Sequence, residues 1–558
     1  MRRWAHLGLL ALVACSNGKE VTGQENDACE GVEAGALPPK VQVSDGREAV
    51  LVRYRSGTRV SAASMVQRMG GQVTAQYRFV PAVAARVTPE ERARLAAHPD
   101  VESIEPDLEV HALGLPVMAG SVDEYTDALR LVQAPKVWDA NEDGVIDPGA
   151  PIGAGIKVCI IDSGIDRRHP ELLIPYAAGH DFVDDDDDPS DETNGVRGIG
   201  HGTHVAGIIA AQLASGGTTW PTMSRGGMVG VAPGVELLIA RVLNVHESAS
   251  ISTVLSGLEW CRAQGAHIAS LSLGSSLDMG RTAHDAFKAA SDAGMLIVAA
   301  SGNDSAARLS YPAAYYEYVL AVGAVDMQEQ VADFSNGGTG LSLVAPGVDV
   351  LSSISVQGAT DPRLDVEGQQ YTARSILFSP VGEYTGELID CGQGGIGACK
   401  GGTCDGFVAY VRLSQGASLT LVEQNVMKQG AKAIVFGIDS SENESWYMSL
   451  DGPGRKWVPS LAVGRESRAA VLKNVGKRVH VNLRGVDYAW FPGTSMATPH
   501  VTGAAALVWS ARPSLTASEV RTLLESTAKK LGTGDGDSRY GHGLVQAKAA
   551  LDALQQMP

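Results

Sequence analysis

The chain has 558 residues, carries 45 Lys and Arg against 63 Asp and Glu for a formal net charge of -18, and is 44% hydrophobic. That length allows several domains, and the hydrophobic share excludes a disordered chain. The acidic balance argues against a nucleic-acid partner, whose phosphates are met by Lys and Arg, and no apolar run reaches the ~18–20 residues of a membrane-spanning helix. Met1-Arg2-Arg3 and the apolar run Leu7–Ala14 have the shape of an export signal too short to be an anchor. Residues 16–47 read as a linker. Residues 48–111 alternate as strand EAVLVRY, helix SAASMVQRMG, strand AVAARV, a helix opening on Thr88-Pro89-Glu90-Glu91, and a closing strand VESIEPDLEVHA.

From about residue 155, apolar strands alternate with helices, which predicts βαβ units and a parallel sheet. The strands are IKVCIID, VELLIARVL, HIASLSL, MLIVAAS and YVLAVGAV; the helices are THVAGIIAAQL, ISTVLSGLEWCRAQ, RTAHDAFKAASDAG, TPHVTGAAALVWS and SEVRTLLESTAKKL. Residues 365–487 interrupt this rhythm with GFVAYVRL, SLTLVEQNVMKQG, AKAIVFGI, VPSLAVG, RAAVLKNVG and RVHVNLR, a second α/β series. No repeat period of about 20–50 residues occurs, and a monomer is the expected state.

Three glycine-flanked segments carry chemistry. Asp162 ends a strand in KVCIIDSGID, His201 opens a helix in GHGTHVAGIIA, and Ser495 opens another in FPGTSMATPHVTGAAA. Each alone has an ordinary explanation as a turn or cap residue. Together they have one joint use: a serine hydroxyl becomes a nucleophile when an imidazole takes its proton, and a carboxylate orients that imidazole. The order Asp, His, Ser and the segments around them resemble the subtilase family of serine proteases. MGGQVTAQYRFVPAVAARV and HPDVESIEPD resemble that family's inhibitory propeptide, and 365–487 resembles the protease-associated domain inserted in several of its members.

The resemblance implies a subtilisin-like α/β fold, a parallel sheet with helices on both faces, preceded by a small α+β propeptide (48–111) and interrupted by an α/β insert (365–487) between catalytic parts 112–364 and 488–558. It implies an exported serine endopeptidase acting on polypeptides and held inactive by its own propeptide. Asn303 in IVAASGNDS would donate to the oxyanion, Ser272-Leu273-Gly274 would pair with the substrate backbone, and Ser301-Gly302 would wall the first pocket with Ser310-Tyr311-Pro312. The rival is a binding protein on an inactive subtilase fold, which would need a broken triad; a narrower processing protease is the other alternative. His204 and His500 read as structural, and HGTH lacks the glutamate of a zinc helix.

Leu12-Val13-Ala14-Cys15 resembles a bacterial lipobox, with an ordinary signal peptide as the alternative. Lipid on Cys15 would sit upstream of the propeptide, so the anchor would leave with the part cut away. DFVDDDDDPSDE (181–192) resembles a calcium loop of some subtilases through Asp181, Asp184 and Asp186; a solvated acidic loop is the other reading. Asp139, Asn141 and Asp143 in DANEDGVIDPGA follow the first half of an EF-hand loop, with Ala150 where the bidentate glutamate belongs. Cys159 and Cys261 read as buried thiols, while Cys391, Cys399 and Cys404 leave their pairing open.

Overall fold

The computed structural model describes residues 46–55, 62–112, 123–193, 196–197, 200–376, 378–414, 417–440, 448–450, 456–533 and 536–557. The export signal, Cys15 and residues 113–121 of the stretch 110–121, where the propeptide cut is expected, lie outside the described residues. Seven strands form a parallel sheet in the order Leu341–Pro346, Val319–Val325, Leu296–Ala300, Ile268–Leu271, Lys157–Asp162, Glu236–Arg241, Tyr176–Asp181. On the central strand Val158 and Ile160 enter one core, and Cys159 and Ile161 enter the other. A strand covered on both faces has no place for a polar side chain, which is why it reads as an unbroken apolar run.

The helices His201–Ala210, Thr494–Ala511, Ala517–Thr527 and Ala547–Gln556 cover one face, and Ile251–Ala263 and Gly280–Asp292 cover the other. Every residue of the helix from Thr494 to Trp509 is buried, so its small and apolar residues run round the whole circumference. Two strands of the sheet escape the sequence pattern. Tyr176–Asp181 is an edge strand, half exposed and polar, and Leu341–Pro346 lies at the opposite edge. No helix among the described residues is long and apolar enough to cross a membrane.

Ahead of this body stands a four-stranded antiparallel sheet in the order Gln72–Gln76, Ala82–Val87, Glu48–Tyr54, Val101–Pro106, with helices Ala62–Arg68 and Pro89–Ala96 and its own core around Val52, Met65 and Leu95. The Thr-Pro-Glu-Glu start folds as a capping box between Thr88 and Glu91. The expected closing strand divides in two. Val101–Pro106 stays in this sheet, while Glu109–Ala112 crosses to a separate antiparallel sheet, between Ser248–Ser250 and Leu273–Gly274.

The third unit is an eight-stranded mixed sheet built from 359–486, with helices Leu419–Met427 and Arg465–Leu472. Its first strand, Ala359–Val366, begins before the expected boundary at 365 and pairs with its last, Arg478–Val486.

The cysteines correct one expectation. Cys159 and Cys261 are not thiols but a disulfide across a sequence separation of 102, with Cα atoms 5.8 Å apart. Cys159 belongs to the sheet face that the Ile251–Ala263 helix covers, so the two sulfurs meet in one core. Cys391 pairs with Cys399, and Cys404 is also disulfide-bonded. A cross-link closing so long a loop is worth about 2–5 kcal/mol through the unfolded chain. The double variant Cys159→Ala/Cys261→Ala should therefore lose roughly that much in chemical denaturation, and an unchanged midpoint would contradict it.

Candidate active site

Asp162 ends the central strand, at the point where later strands add to either side and a crevice opens beyond the carboxyl ends. His201 begins its helix behind Gly200, which caps it with a left-handed φ of 82°. Gly202 packs on the Asp162 turn so closely that a Cβ there would lie 2.2 Å from Gly164 O. This backbone approach brings His201 Nδ1 to 2.7 Å from Asp162 Oδ1, with both side chains 1% exposed. The Ser163 amide donates to the same carboxylate oxygen at 2.7 Å. Asp162 Oδ2 and His201 Nε2 are buried with no hydrogen-bond partner among the described residues. Burial alone would depress the imidazole, but the carboxylates of Asp162, Glu247 and Asp191 outweigh it and hold His201 above the ordinary histidine value.

Ser495 is the second residue of its helix, where the first-turn amides have no intrahelical acceptor. Its Oγ donates to Ser272 O at 2.8 Å, and Ser272 Oγ donates to Ser495 O at 2.8 Å. Asn303 Oδ1 accepts from Thr494 N at 3.0 Å and from Thr494 Oγ1 at 2.9 Å. Because a backbone amide needs an acceptor, the side-chain oxygen faces Thr494 and the Asn303 NH2 is the other end. Ser301 Oγ donates to Asn336 O, and the Ser301 carbonyl accepts from Ser310 N. Gly302 sits at φ 110°, and a Cβ there would lie 2.2 Å from Asn336 Nδ2. Tyr311 exchanges both backbone hydrogen bonds with Ser275, so Ser310 and Tyr311 do border the strand Leu273–Gly274.

His204 donates to Val350 O and Ala489 O, stacks on Phe491, and is pushed by burial and the nearby His201 down to about 3. His500 bonds Met496 O and is depressed by burial to about 4. Neither reaches the Asp162–His201 pair by a hydrogen bond. Two carboxylates near that pair were not singled out in the sequence. Asp191, counted there only as part of the acidic run, is pushed up by burial to about 7. Glu247 lies in VHESAS, which carries no motif, yet its carboxylate and ligand atoms of Asp162 and His201 all fall within 4.8 Å of one another. A metal on those three would compete with the Asp162–His201 hydrogen bond.

The acidic residues expected to take calcium divide. Asp181 and Asp184 both pair with Arg241, a buried cation, and Asp186 accepts from Asp188 N. The guanidinium thus supplies at Asp181 and Asp184 the positive charge that an ion would bring, and it leaves Asp186 unpaired with it. At Asp139 the side chain is buried and accepts from Asp143 N, Gly144 N and Tyr125 OH, Asn141 donates to Asp143, and Gly144 makes the turn at φ 85°. This is an all-oxygen loop with the left-handed glycine an EF-hand turn requires.

The strand Glu109–Ala112 lies in the crevice. His111 and Ala112 pair with Gly274 and Leu273, and Ala112 N donates to Glu247 O at 2.9 Å. Two carboxylates from the same segment cap helices of the main body. Glu105 Oε2 accepts from Thr282 N at 3.0 Å, and Asp107 accepts from Ser252 N at 2.8 Å and from Ser252 Oγ. Arg53 adds an ion pair to Asp285.

Comparison with known proteins gives two family matches. The model described as "Subtilase family" matches residues 153–375 and 448–543, and that described as "Peptidase inhibitor I9" matches 56–113. The M-protease of Shouchella clausii (strain KSM-K16) is 38% identical over 278 residues, 50% of this chain and 63% of that protein. Alkaline elastase YaB of Bacillus sp. (strain YaB) is 34% identical over 302 residues, 54% of this chain and 70% of that protein. The matched stretch thus spans under two thirds of the M-protease. Among solved structures, fervidolysin from Fervidobacterium pennivorans, "a keratinolytic enzyme related to subtilisin", superposes with a TM-score of 0.55 at 21% identity, covering 92% of this chain and 61% of that one. That likeness is one of fold.

The capping carboxylates generate a prediction. Asp107→Ala removes a helix cap worth about 0.5–2 kcal/mol, so hydrogen exchange at Val110 to Ala112 in the uncut chain should quicken roughly 2- to 30-fold. Unchanged exchange there would show that the cap does not hold the strand in the crevice.

Proposed function

The chain belongs to the subtilase family, and from that premise we propose that it is an exported serine endopeptidase, made as a precursor that its own propeptide inhibits and its own active site cuts. The observation that carries this reading is the 2.7 Å bond between His201 Nδ1 and Asp162 Oδ1 at the mouth of a crevice already filled by an extended strand of the same chain. With Nδ1–H on the carboxylate, His201 Nε2 is the free base. Ser495 Oγ would turn from Ser272 O toward it, give up its proton and attack the substrate carbonyl. The Asn303 NH2 and the amides at the Ser495 helix N-terminus are the donors for the oxyanion. His201 then passes the proton to the leaving amine, and water repeats the sequence on the acyl-enzyme. Ser272, Leu273 and Gly274 would hold the substrate backbone, as Leu273 and Gly274 hold Ala112 and His111, while Ser301 and Gly302 would wall the first pocket. Recognition through the main chain favours broad sequence tolerance.

The remaining readings are proposals of the same standing. Residues 365–487, extended to 359 by the strand pairing, are read as a protease-associated insert; the interruption of the family match between 375 and 448 supports this. Cys15 is read as the lipid anchor of the precursor, released with the propeptide, and the enzyme as a monomer. Calcium is retained for the loop of Asp139, Asn141 and Asp143, where it would bring structural rigidity and no part in the chemistry.

Ser495→Ala should abolish peptide hydrolysis and leave the precursor full-length and membrane-attached, whereas the wild type should be cut between 110 and 121 and released. His201→Ala should cost about as much, on the order of 10⁴-fold or more, since these residues act as a unit. Turnover within tenfold of the parent, or a cut Ser495→Ala chain, would overturn the mechanism. Separately, calcium should raise the melting temperature of Ser495→Ala protein and not of its Asp143→Ala form, because an ion bound only by the folded state stabilises it. Calorimetric titration that finds no calcium binding would remove the ion from this loop.

A further inference from the structure

Glu247 stands at the top of a turn that its neighbours make rigid. Asn244 N accepts no freedom there: it donates to Ser248 O at 2.9 Å, Glu247 N donates to Asn244 O at 2.9 Å, and Asn244 Oδ1 takes His246 N at 2.8 Å. Glu247 itself adopts φ 57°, a left-handed backbone that a glutamate enters only at a cost. It is 9% exposed, its carbonyl accepts from the strand lying in the crevice, and its carboxylate approaches the Asp162–His201 pair within the 4.8 Å noted above. A carboxylate buried at a costly backbone angle against an imidazole has one electrostatic use there.

Resting on the protease reading, we propose that Glu247 is a positioning residue for His201, a second carboxylate whose nearby charge stabilises the cation formed when Ser495 gives up its proton. The proton leaves Ser495 Oγ for His201 Nε2, Nδ1–H stays on Asp162, and the imidazolium lies between two carboxylates until the proton passes to the leaving amine. Glu247 takes no part in the proton transfer itself. The groups that act on His201 are Asp162 from the Lys157–Asp162 strand, Asp191 from the loop before its helix, Glu247 from the turn beyond Glu236–Arg241 and His204 from its own helix; His500 of the Ser495 helix acts on His204, and Arg241 offsets Asp191. Burial pushes both of these histidines, His204 and His500, well below the ordinary histidine value, toward the neutral ring. The balance is set by the carboxylates.

Removing one charge makes protonated His201 less stable, so the ring titrates at lower pH and activity persists further into acid. For Glu247→Gln the acid limb of kcat/KM should move down by about one pH unit. Glu247→Gly, which suits the left-handed backbone, should do the same if the glutamine form folds poorly, and Glu247→Asp, which keeps the charge, should restore most of the parent profile. A second measurement needs no turnover. In the full-length Ser495→Ala chain with carbon-13-labelled histidine, the His201 resonance, assigned by its loss in His201→Gln, should titrate about one unit lower when Glu247→Gln is added. If the resonance moves while the parent has no peptidase activity, the protease reading fails and Glu247 keeps its role toward His201. If the resonance titrates unchanged in both neutral variants, or the kcat/KM profile of an active parent does not move, the proposal is overturned.

Discussion

The hydrogen bond between His201 and Asp162 constrains everything around it. A carboxylate that is 1% exposed can stay ionised only if hydrogen bonds replace water, and here the Ser163 amide and the His201 ring supply them. Holding those donors in place needs a rigid floor. The floor is a parallel strand packed on both faces and cross-linked to the helix beneath it through Cys159 and Cys261. Arg241 extends the same logic sideways. It stands in register between Asp162 on one neighbouring strand and Asp181 on the other, so the acidic loop neutralises a buried cation on the strand next to Asp162.

The crevice shows how one backbone geometry serves inhibition and recognition. Glu109–Ala112 completes a three-stranded antiparallel sheet with main-chain bonds that any extended peptide can make. What distinguishes the propeptide from a passing substrate is the additional attachment behind that strand. Glu105 and Asp107 place negative charge at the N-termini of two helices, where amides lack partners. The strand alone is ordinary binding, and the caps make it persistent.

Much of this was legible in the sequence. KVCIID, GHGTHVAG and GTSMATPH marked the strand end and the two helix starts, because a glycine is the only residue that tolerates a backbone approach as close as that of Gly202 to Gly164. The rest was hidden for physical reasons. Tyr176–Asp181 is an edge strand whose polar residues carry no apolar period. The Cys159–Cys261 bond depends on which sheet face each sulfur meets, a relation between elements 102 residues apart. Asp181 and Asp184 have the composition of a calcium loop, but composition does not say that an arginine on the neighbouring strand takes their charge. Glu247 lies in a turn without any pattern, and only the folded chain brings it to His201.

The excursion 359–486 raises the question of how a sheet of eight strands can interrupt a catalytic body without disturbing it. Its two ends answer. Ala359 pairs with Val486, and after the register breaks at 354–358 opposite Asp487 a second antiparallel pairing runs from Ser353 with Tyr488 to Val350 with Phe491, so the chain leaves and returns along one antiparallel stalk. Asp487 pins the exit by accepting from Gln357 N at 2.7 Å and from Thr218 N. Chain closure is therefore paid once at the stalk, and what is hung beyond it can vary in length at little further cost. The returning strand Tyr488–Phe491 runs directly into Gly493 and the helix that carries Ser495. His204 ties the other side, bonding Val350 O and Ala489 O across the stalk from the helix that carries His201. The helices whose first turns hold His201 and Ser495 pack directly on each other, and the stalk reaches the first through the His204 bonds and the second by running straight into it along the chain.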